Sequence, residues 1–296
     1  MRPSIIAAMV YCGAAFGGSF LFMRVAAPDL PALVVAFGRV AIASLLLAIV
    51  GGPAVLRGLR RDWRGFMVLG VFMTAGPFLL FAFAERSITA GLGSIINATT
   101  PLWTVIVVSV WLRQRLTLKR IAAIVVGFAG VGVIVGVDAL AIAPDAGIGV
   151  LAAVVASASY GIGLTYARRY MPNLEPMPLA LGQLLAATVL LAPGALLVLP
   201  DARWELDSVA AVVAIAIVST AIAWPLLFRL VRTVGPLATS TVPFLNPIFG
   251  VLWGALFLAE AISPSLLGGS VLVFISLALI LDVRLPVWLL ARRPAS

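Results

Sequence analysis

Ten apolar runs of spanning length decide what this chain can fold into. They lie at 4–23, 30–51, 65–84, 88–111, 120–137, 147–167, 177–199, 208–228, 235–258 and 264–283. A helix rises about 1.5 Å per residue, so about 20 residues cross the hydrocarbon of a bilayer. Backbone polar groups in that layer must be satisfied within the segment, so each run has to be a helix. With 63% hydrophobic and 10% charged residues, the chain has more apolar surface than a water-soluble interior could hide, a soluble domain carrying about 25% charge. The reading is an all-α polytopic membrane protein with ten transmembrane helices. The first run follows Arg2, and Val25–Ala27 resembles a weak signal-cleavage site, but the run is long for a signal core and has a partner later in the chain. It is expected to be a retained first helix.

The breaks carry turn and charge signals: "GGPAVLRGLRRDWRG" at 51–65, "RQRLTLKR" at 113–120, "APDAG" at 143–147 and "LPDARWELD" at 199–207. Sixteen of the twenty basic residues fall at the two termini and in the loops after spans two, four, six and eight. Arg24, Arg86 and Arg203 fall in the opposite loops, and Arg39 sits inside span two. Cytoplasmic loops carry the excess of Lys and Arg, so both termini are expected in the cytoplasm, in a bacterial cytoplasmic (inner) membrane. A net charge of +9, dispersed in short loops beside apolar runs, suits anionic membrane lipid rather than nucleic acid.

The chain has no histidine and one cysteine, Cys12. This removes an internal disulfide, multi-cysteine metal sites and every catalytic pair built on histidine. Lys119, the only lysine, lies in a cytoplasmic loop, too far from the bilayer interior for a serine–lysine scheme there. No enzyme activity, metal or cofactor is expected.

The sequence also compares with itself. "AFGGSFLFMRVAAP" at 15–28 aligns with "SYGIGLTYARRYMP" at 159–172, and the same offset of 144 sets Arg39 against Gln183. At an offset of 146, "TTPLWTVIVVSVWLRQRLT" at 99–117 aligns with "LNPIFGVLWGALFLAEAIS" at 245–263, Thr74 with Thr220, and Phe78 with Trp224. The expected domains are a first five-helix repeat at 1–140, a second at 145–284 and a cytoplasmic tail at 285–296. An odd span count inverts the second repeat in the membrane. Inverted repeats around a mid-membrane site, opened alternately to either side, are a common transporter plan.

Several of these motifs resemble the drug/metabolite transporter superfamily, specifically its EamA family. They are the aromatic–Gly elements of spans one and six, the Gly-Arg of span two, the mid-helix prolines 101 and 247, and "FLAEAIS" at 257–263. The resemblance covers essentially the whole chain, departing where Gln114 replaces the glutamate usual in the first half. It implies ten-span carriers around a central cavity. Within the family, exporters of amino acids, including the YddG-type exporters of aromatic ones, are most similar in overall character.

Helix phase selects residues able to touch cargo. Asn97, Thr100, Pro101 and Thr104 form one polar stripe on span four; Thr239, Pro243, Asn246 and Gly250 are its counterpart on span nine. Such groups line a cavity or hydrogen-bond helices together. Thr74 with Phe78 and Thr220 with Trp224 form a second matched set, and Tyr160 answers to Phe16 in the repeat. Aromatic walls with a few placed polar groups describe a small-molecule pocket. Trp103, Tyr160 and Trp224 are read either as cavity lining or as packing. Trp63, Trp204 and Trp288 are read as interface residues. The candidate substrate-binding set is Arg39, Thr74, Phe78, Asn97, Thr100, Trp103, Thr104, Tyr160, Gln183, Thr220, Trp224 and Asn246.

Arg39 keeps its charge at any ordinary pH, at a cost of about 2.5–3.5 kcal/mol near mid-bilayer. It therefore faces the bundle, either binding a carboxylate on cargo or gating access to it, or else capping carbonyls bared by a proline kink and holding helices in register; the resemblance favours the structural role. Glu85 and Glu260, at the outer ends of spans, are expected to be solvated. With no carboxylate deep in a span, proton-driven export of cationic drugs is disfavoured, and one arginine is too few for phosphorylated cargo. The function read from the sequence is export of small metabolites, amino acids foremost, by a monomer or weak homodimer. Other organic cargo, or a receptor without flux, is the alternative.

Overall fold

The computed structural model describes residues 3–136, 146–239 and 242–280. Among these residues the fold is helical throughout. We label its rods α1 (Pro3–Ala26), α2 (Ala32–Leu59), α3 (Trp63–Ala84), α4 (Ala90–Trp111), α5 (Leu118–Ile134), α6 (Ala146–Tyr170), α7 (Pro176–Leu197), α8 (from Leu206 through Ala223–Thr239), α9 (Val242–Leu258) and α10 (Pro264–Ile280). Seven stretches are long and apolar enough to cross a membrane, in α1–α4 and α6–α8. Two shorter apolar helices lie in α9 and α10. The protein is thus a polytopic membrane protein. α8 continues to Thr239, where the sequence pattern starts span nine at 235; "FRLVRTVGPL" keeps helical periodicity, so its charges do not break the helix. The expected tail and the residues around 140 lie outside the described residues.

Local chemistry sets the rod ends. α2 leaves helical geometry at Gly52, with φ 68°, a left-handed setting that glycine adopts freely, and Pro53 follows it. Thr89 and Thr117 cap α4 and α5 through their hydroxyls, each accepting from the N–H three residues on.

The cross-repeat packing is symmetric under exchange. α1 packs on α9 and α8, and α6 packs on α4 and α3; α2 meets α7, α4 meets α9, and α5 meets α10. Glycine permits two equivalent crossings. A Cβ on Gly17 would lie 2.7 Å from the Asn246 carbonyl, and one on Gly161 would lie 2.9 Å from the Thr104 nitrogen. α3 and α8 each contain a π-helical turn, Gly70–Ala75 and Ile217–Ile222. A π turn leaves carbonyls short of donors, and hydroxyls from the other repeat supply them. Ser159 of α6 donates to the Phe72 carbonyl at 3.0 Å, and Tyr11 of α1 donates to the Val218 carbonyl at 3.0 Å. These two bonds pin each repeat to a wide turn in the other.

Candidate functional site

A cavity of about 480 Å³ lies between the repeats, walled by α1–α4 from one side and α6, α8, α9 and the end of α10 from the other. Eight of the residues selected by sequence line it: Arg39, Phe78, Asn97, Thr100, Thr104, Tyr160, Trp224 and Asn246. Thr74, Trp103, Gln183 and Thr220 are not on its wall. Thr220 supports Arg39 from behind, Thr74 and Gln183 are buried without a bond to the Thr74 hydroxyl or the Gln183 carbonyl oxygen, and Trp103 turns to α5, its ring 5.0 Å from that of Phe128. The side chains of Thr239 and Pro243 lie outside the described residues.

The sequence search passed over the rest of the α1 face: Ser19, Phe20 and Met23 join Phe16 on the wall. Their spacing of i, i+3, i+4 and i+7 is a helical stripe, so the signal was present. Phe81, Met73, Leu227 and Phe228 join an apolar lining that holds seven aromatic rings. Edge-on and tilted contacts link these rings into a shell, among them Phe16–Trp224 at 5.9 Å, Phe20–Phe81 at 5.3 Å and Trp224–Phe228 at 5.6 Å.

Arg39 is 5% exposed. Its Nε donates to the Thr220 hydroxyl at 2.9 Å, and its guanidinium carbon stands 3.6 Å from the Phe78 ring centroid. A desolvated cation–π contact contributes about 2 kcal/mol and a hydrogen bond from a charged donor about 1.5–3 kcal/mol, enough to offset an insertion cost of about 2.5–3.5 kcal/mol. The arginine is thus held without a carboxylate. Among the described residues it caps no kinked carbonyl, and its bond to Thr220 ties α2 to α8. The Nη groups are engaged by no protein acceptor among the described residues, and Arg39 lines the cavity.

The polar stripe of α4 has a second task. Pro101 has no N–H for the Asn97 carbonyl, and the Thr100 hydroxyl donates to that carbonyl at 2.8 Å. Next to it the Ile96 carbonyl receives the Thr99 hydroxyl at 2.6 Å and the Ser157 hydroxyl of α6 at 3.0 Å. The helix breaks at Ala98–Thr99, one turn into the cavity wall. Across the cavity, Asn246 Oδ1 is buried with no partner among the described residues.

At one end of the bundle the wall is sealed. Phe20, Met23 and Phe81 are buried there, continuous with Ala26, Leu30, Ala84, Ile88 and Ala90. Toward the other end Leu164 is exposed, and Val105, Leu227 and Phe228 are half-buried.

At the sealed end, α9 stops in a turn closed by a left-handed residue. Ala259 is left-handed, φ 53°, and the Glu260 N–H reaches the Gly254 carbonyl at 3.1 Å. This presents the Glu260 carboxylate to the first turn of α4, where it accepts from the N–H groups of Ala90 at 2.9 Å and Gly91 at 3.3 Å. Glu260, expected to be solvated, is a helix cap across the repeats. Glu85, also expected to be solvated, is wholly buried. The reason is tertiary: α1, α4 and α6 close over the end of α3.

A helical membrane bundle with two halves closing on one cavity is the frame of a membrane transporter. The EamA-like transporter family matches the chain twice, at residues 3–136 and 147–282, and the chain belongs to that family. The family is named for transport and not for catalysis, so the protein is not an enzyme. An uncharacterized transporter of Archaeoglobus fulgidus is 22% identical over 276 residues, 91% of this chain and 95% of that protein. Protein PecM of Dickeya dadantii is 26% identical over 253 residues, covering 82% and 84%. A probable terminal-alkyne amino-acid exporter of Streptantibioticus cattleyicolor is 28% identical over 128 residues, 43% of each chain. A solved crystal structure superposes over 100% of both chains with a TM-score of 0.65 at 21% identity, a likeness of fold alone.

Proposed function

We propose that the protein exports small metabolites, amino acids foremost, across a bacterial cytoplasmic membrane by alternating access between two inverted five-helix repeats. The observation that carries this reading is the cavity itself: aromatic walls, with one fixed cation whose Nη groups have no acceptor among the described residues. A zwitterion with an apolar side chain matches that lining, its carboxylate on Arg39 and its side chain among Phe16, Phe78, Phe81 and Trp224. The exchange-symmetric packing supports ten spans and a pseudo-twofold arrangement, and the charge asymmetry of the loops supports cytoplasmic termini. On that orientation the sealed end is external and the cavity faces inward. With no histidine, and no carboxylate on the cavity wall, the cargo moves down its own gradient.

Counterflow in proteoliposomes with a panel of labelled amino acids tests the reading. Saturable exchange of at least one member, lost in Arg39→Gln and weakened in Trp224→Ala, supports it. Normal exchange by a folded Arg39→Gln protein removes the carboxylate anchor. The neutral aromatic lining then favours uncharged organic cargo. A substrate-free collapse assay on an imposed pH gradient checks the energetics, with no collapse expected.

A further inference from the structure

We propose that Glu85 is a proton-binding site that latches the sealed end of the carrier: the carboxyl is protonated while the end is closed and gives up its proton when the end opens. This goes beyond the cargo reading and rests only on the alternating-access part of it.

Glu85 lies one residue past the apolar span Trp63–Ala84, a position where a glutamate ordinarily meets water. Here it is 0% exposed, and among the described residues neither carboxylate oxygen has a hydrogen-bond partner. The space it occupies is made by glycine: a Cβ on Gly93 would collide with Glu85 Oε1, and Phe20 stands beside the same point. An ionised carboxylate stranded in this way costs far more than a neutral acid.

The charged neighbours do not relieve it. From α1, Arg24 donates through Nη1 to the Glu85 backbone carbonyl at 2.6 Å and makes no bond to the carboxylate. From the end of α9, Glu260 brings a second negative charge, and its own oxygens are taken by Ala90 and Gly91. α4 and α6 present Gly93 and Gly149 here, and among the described residues Glu260 and Arg24 are the charged groups that act on Glu85. Arg86, next in the chain, is exposed. A metal ion would need several oxygen ligands, and no group of three or more His, Cys, Asp or Glu is found among the described residues. A proton needs one oxygen.

Burial first and Glu260 second hold the Glu85 carboxyl well above the ordinary carboxylate range, with Arg24 pulling it down. The sign follows from linkage. The closed end binds a proton that the open, hydrated end releases, so closure is fully favoured below the hydrated pKa of about 4.3. It is weakened as pH rises through the higher closed-state value. Proton uptake and release occur on one face, so the cycle moves no net proton, and the latch makes cargo flux pH-sensitive without making it proton-driven.

Two measurements on the purified, reconstituted protein test this without any cargo, so they fail independently of the substrate reading. Infrared spectroscopy at pH 7 should show the carbonyl stretch of a protonated carboxyl, present in the parent and absent in Glu85→Gln. If that variant does not fold, carbon-13 glutamate in the parent assigns the band, since the chain has only four glutamates, at 85, 175, 205 and 260. In a Cys12→Ala background, Ile88→Cys reports opening of the seal by its maleimide labelling rate, corrected for thiolate fraction. That rate should rise with pH by up to tenfold per unit, the limit for one linked proton, and become pH-flat once Glu85→Gln is added. Absence of the band above pH 5, or a Glu85→Gln labelling profile parallel to the parent's, overturns the proposal.

Discussion

The two repeats share a skeleton and differ in the polar groups hung on it. Both have a glycine crossing, at Gly17 and Gly161, and both have a π turn whose carbonyl is closed by the opposite half. In the first half the polar layer is charged: Arg39 reaches across to Thr220 and lies on Phe78. The matched pair is Gln183 in the second half and Thr74 in the first, and among the described residues the Gln183 Oε1 and the Thr74 hydroxyl are buried without a bond. Trp224, matched to Phe78, has its indole N–H buried and unpaired among the described residues. On the proposed alternating-access reading, the shared backbone features are what would let the bundle close from either side. The unshared side chains make the cavity lopsided: among the described residues of its wall, Arg39 is the one cation, the pole against which the proposed cargo would orient.

If that lopsidedness is functional, Arg39→Gln has the largest effect, because it gives the first half the second half's residue. Removing a charged donor from a bound carboxylate costs about 1.5–3 kcal/mol, roughly 10- to 150-fold in counterflow affinity, and Arg39→Lys should recover only part of it, lacking the planar fork. The same change with unaltered affinity would break the comparison. The next effect down tests what the halves share. Gly17→Ala and Gly161→Ala each drive a methyl into a facing backbone, and overpacking of this kind costs about 1–3 kcal/mol. Thermal unfolding in detergent should fall for both, Gly17→Ala by more, since its 2.7 Å approach is the closer. A drop in only one would mean that the crossings are not equivalent.

Thr220→Val against Thr74→Val sharpens the contrast at a smaller scale. The first strips an acceptor from a buried guanidinium and should cost about 1.5–3 kcal/mol, shared between stability and affinity. The second deletes a hydroxyl that has no partner and should be neutral or mildly stabilising. Equal losses in the two variants would mean that Thr74 finds a partner when cargo binds.

Much of this was legible in the sequence because it depends on local pattern. Spanning runs, the aromatic–Gly repeat and the need for Arg39 to face inward follow from burying hydrocarbon and charge. What escaped was set by distant residues. Glu85 reads as an interface glutamate until Gly93, in another helix, turns out to be the floor beneath it. The π turns leave no mark in composition, for "GVFMTA" and "IVSTAI" read as ordinary helix. Thr220 was selected as a wall residue and is instead the support behind Arg39, a distinction that depends on the depth of α8, which helical phase does not give.

The smallest expected effect concerns strain that both halves carry. Arg113 and Ala259 end α4 and α9 at matched positions, with φ 52° and 53°, and both lack glycine where the left-handed setting favours it. A non-glycine residue pays about 1–2 kcal/mol for that geometry, while glycine costs about 0.5–1 kcal/mol in unfolded-chain entropy. Ala259→Gly should therefore stabilise by about 0.5–1 kcal/mol, a shift of a few degrees or less in a protein of this size. Arg113→Gly should gain the same relief, though it also removes a basic residue from a loop. The two part company in function. Ala259 aims Glu260 at the first turn of α4, and in the first half that place is taken by the neutral Gln114. A more pliable turn at 259 loosens the cap, so Ala259→Gly should raise the labelling rate of Ile88→Cys while Arg113→Gly leaves it unchanged. Equal labelling in the two variants would mean that the Glu260 cap holds the sealed end however its turn is built.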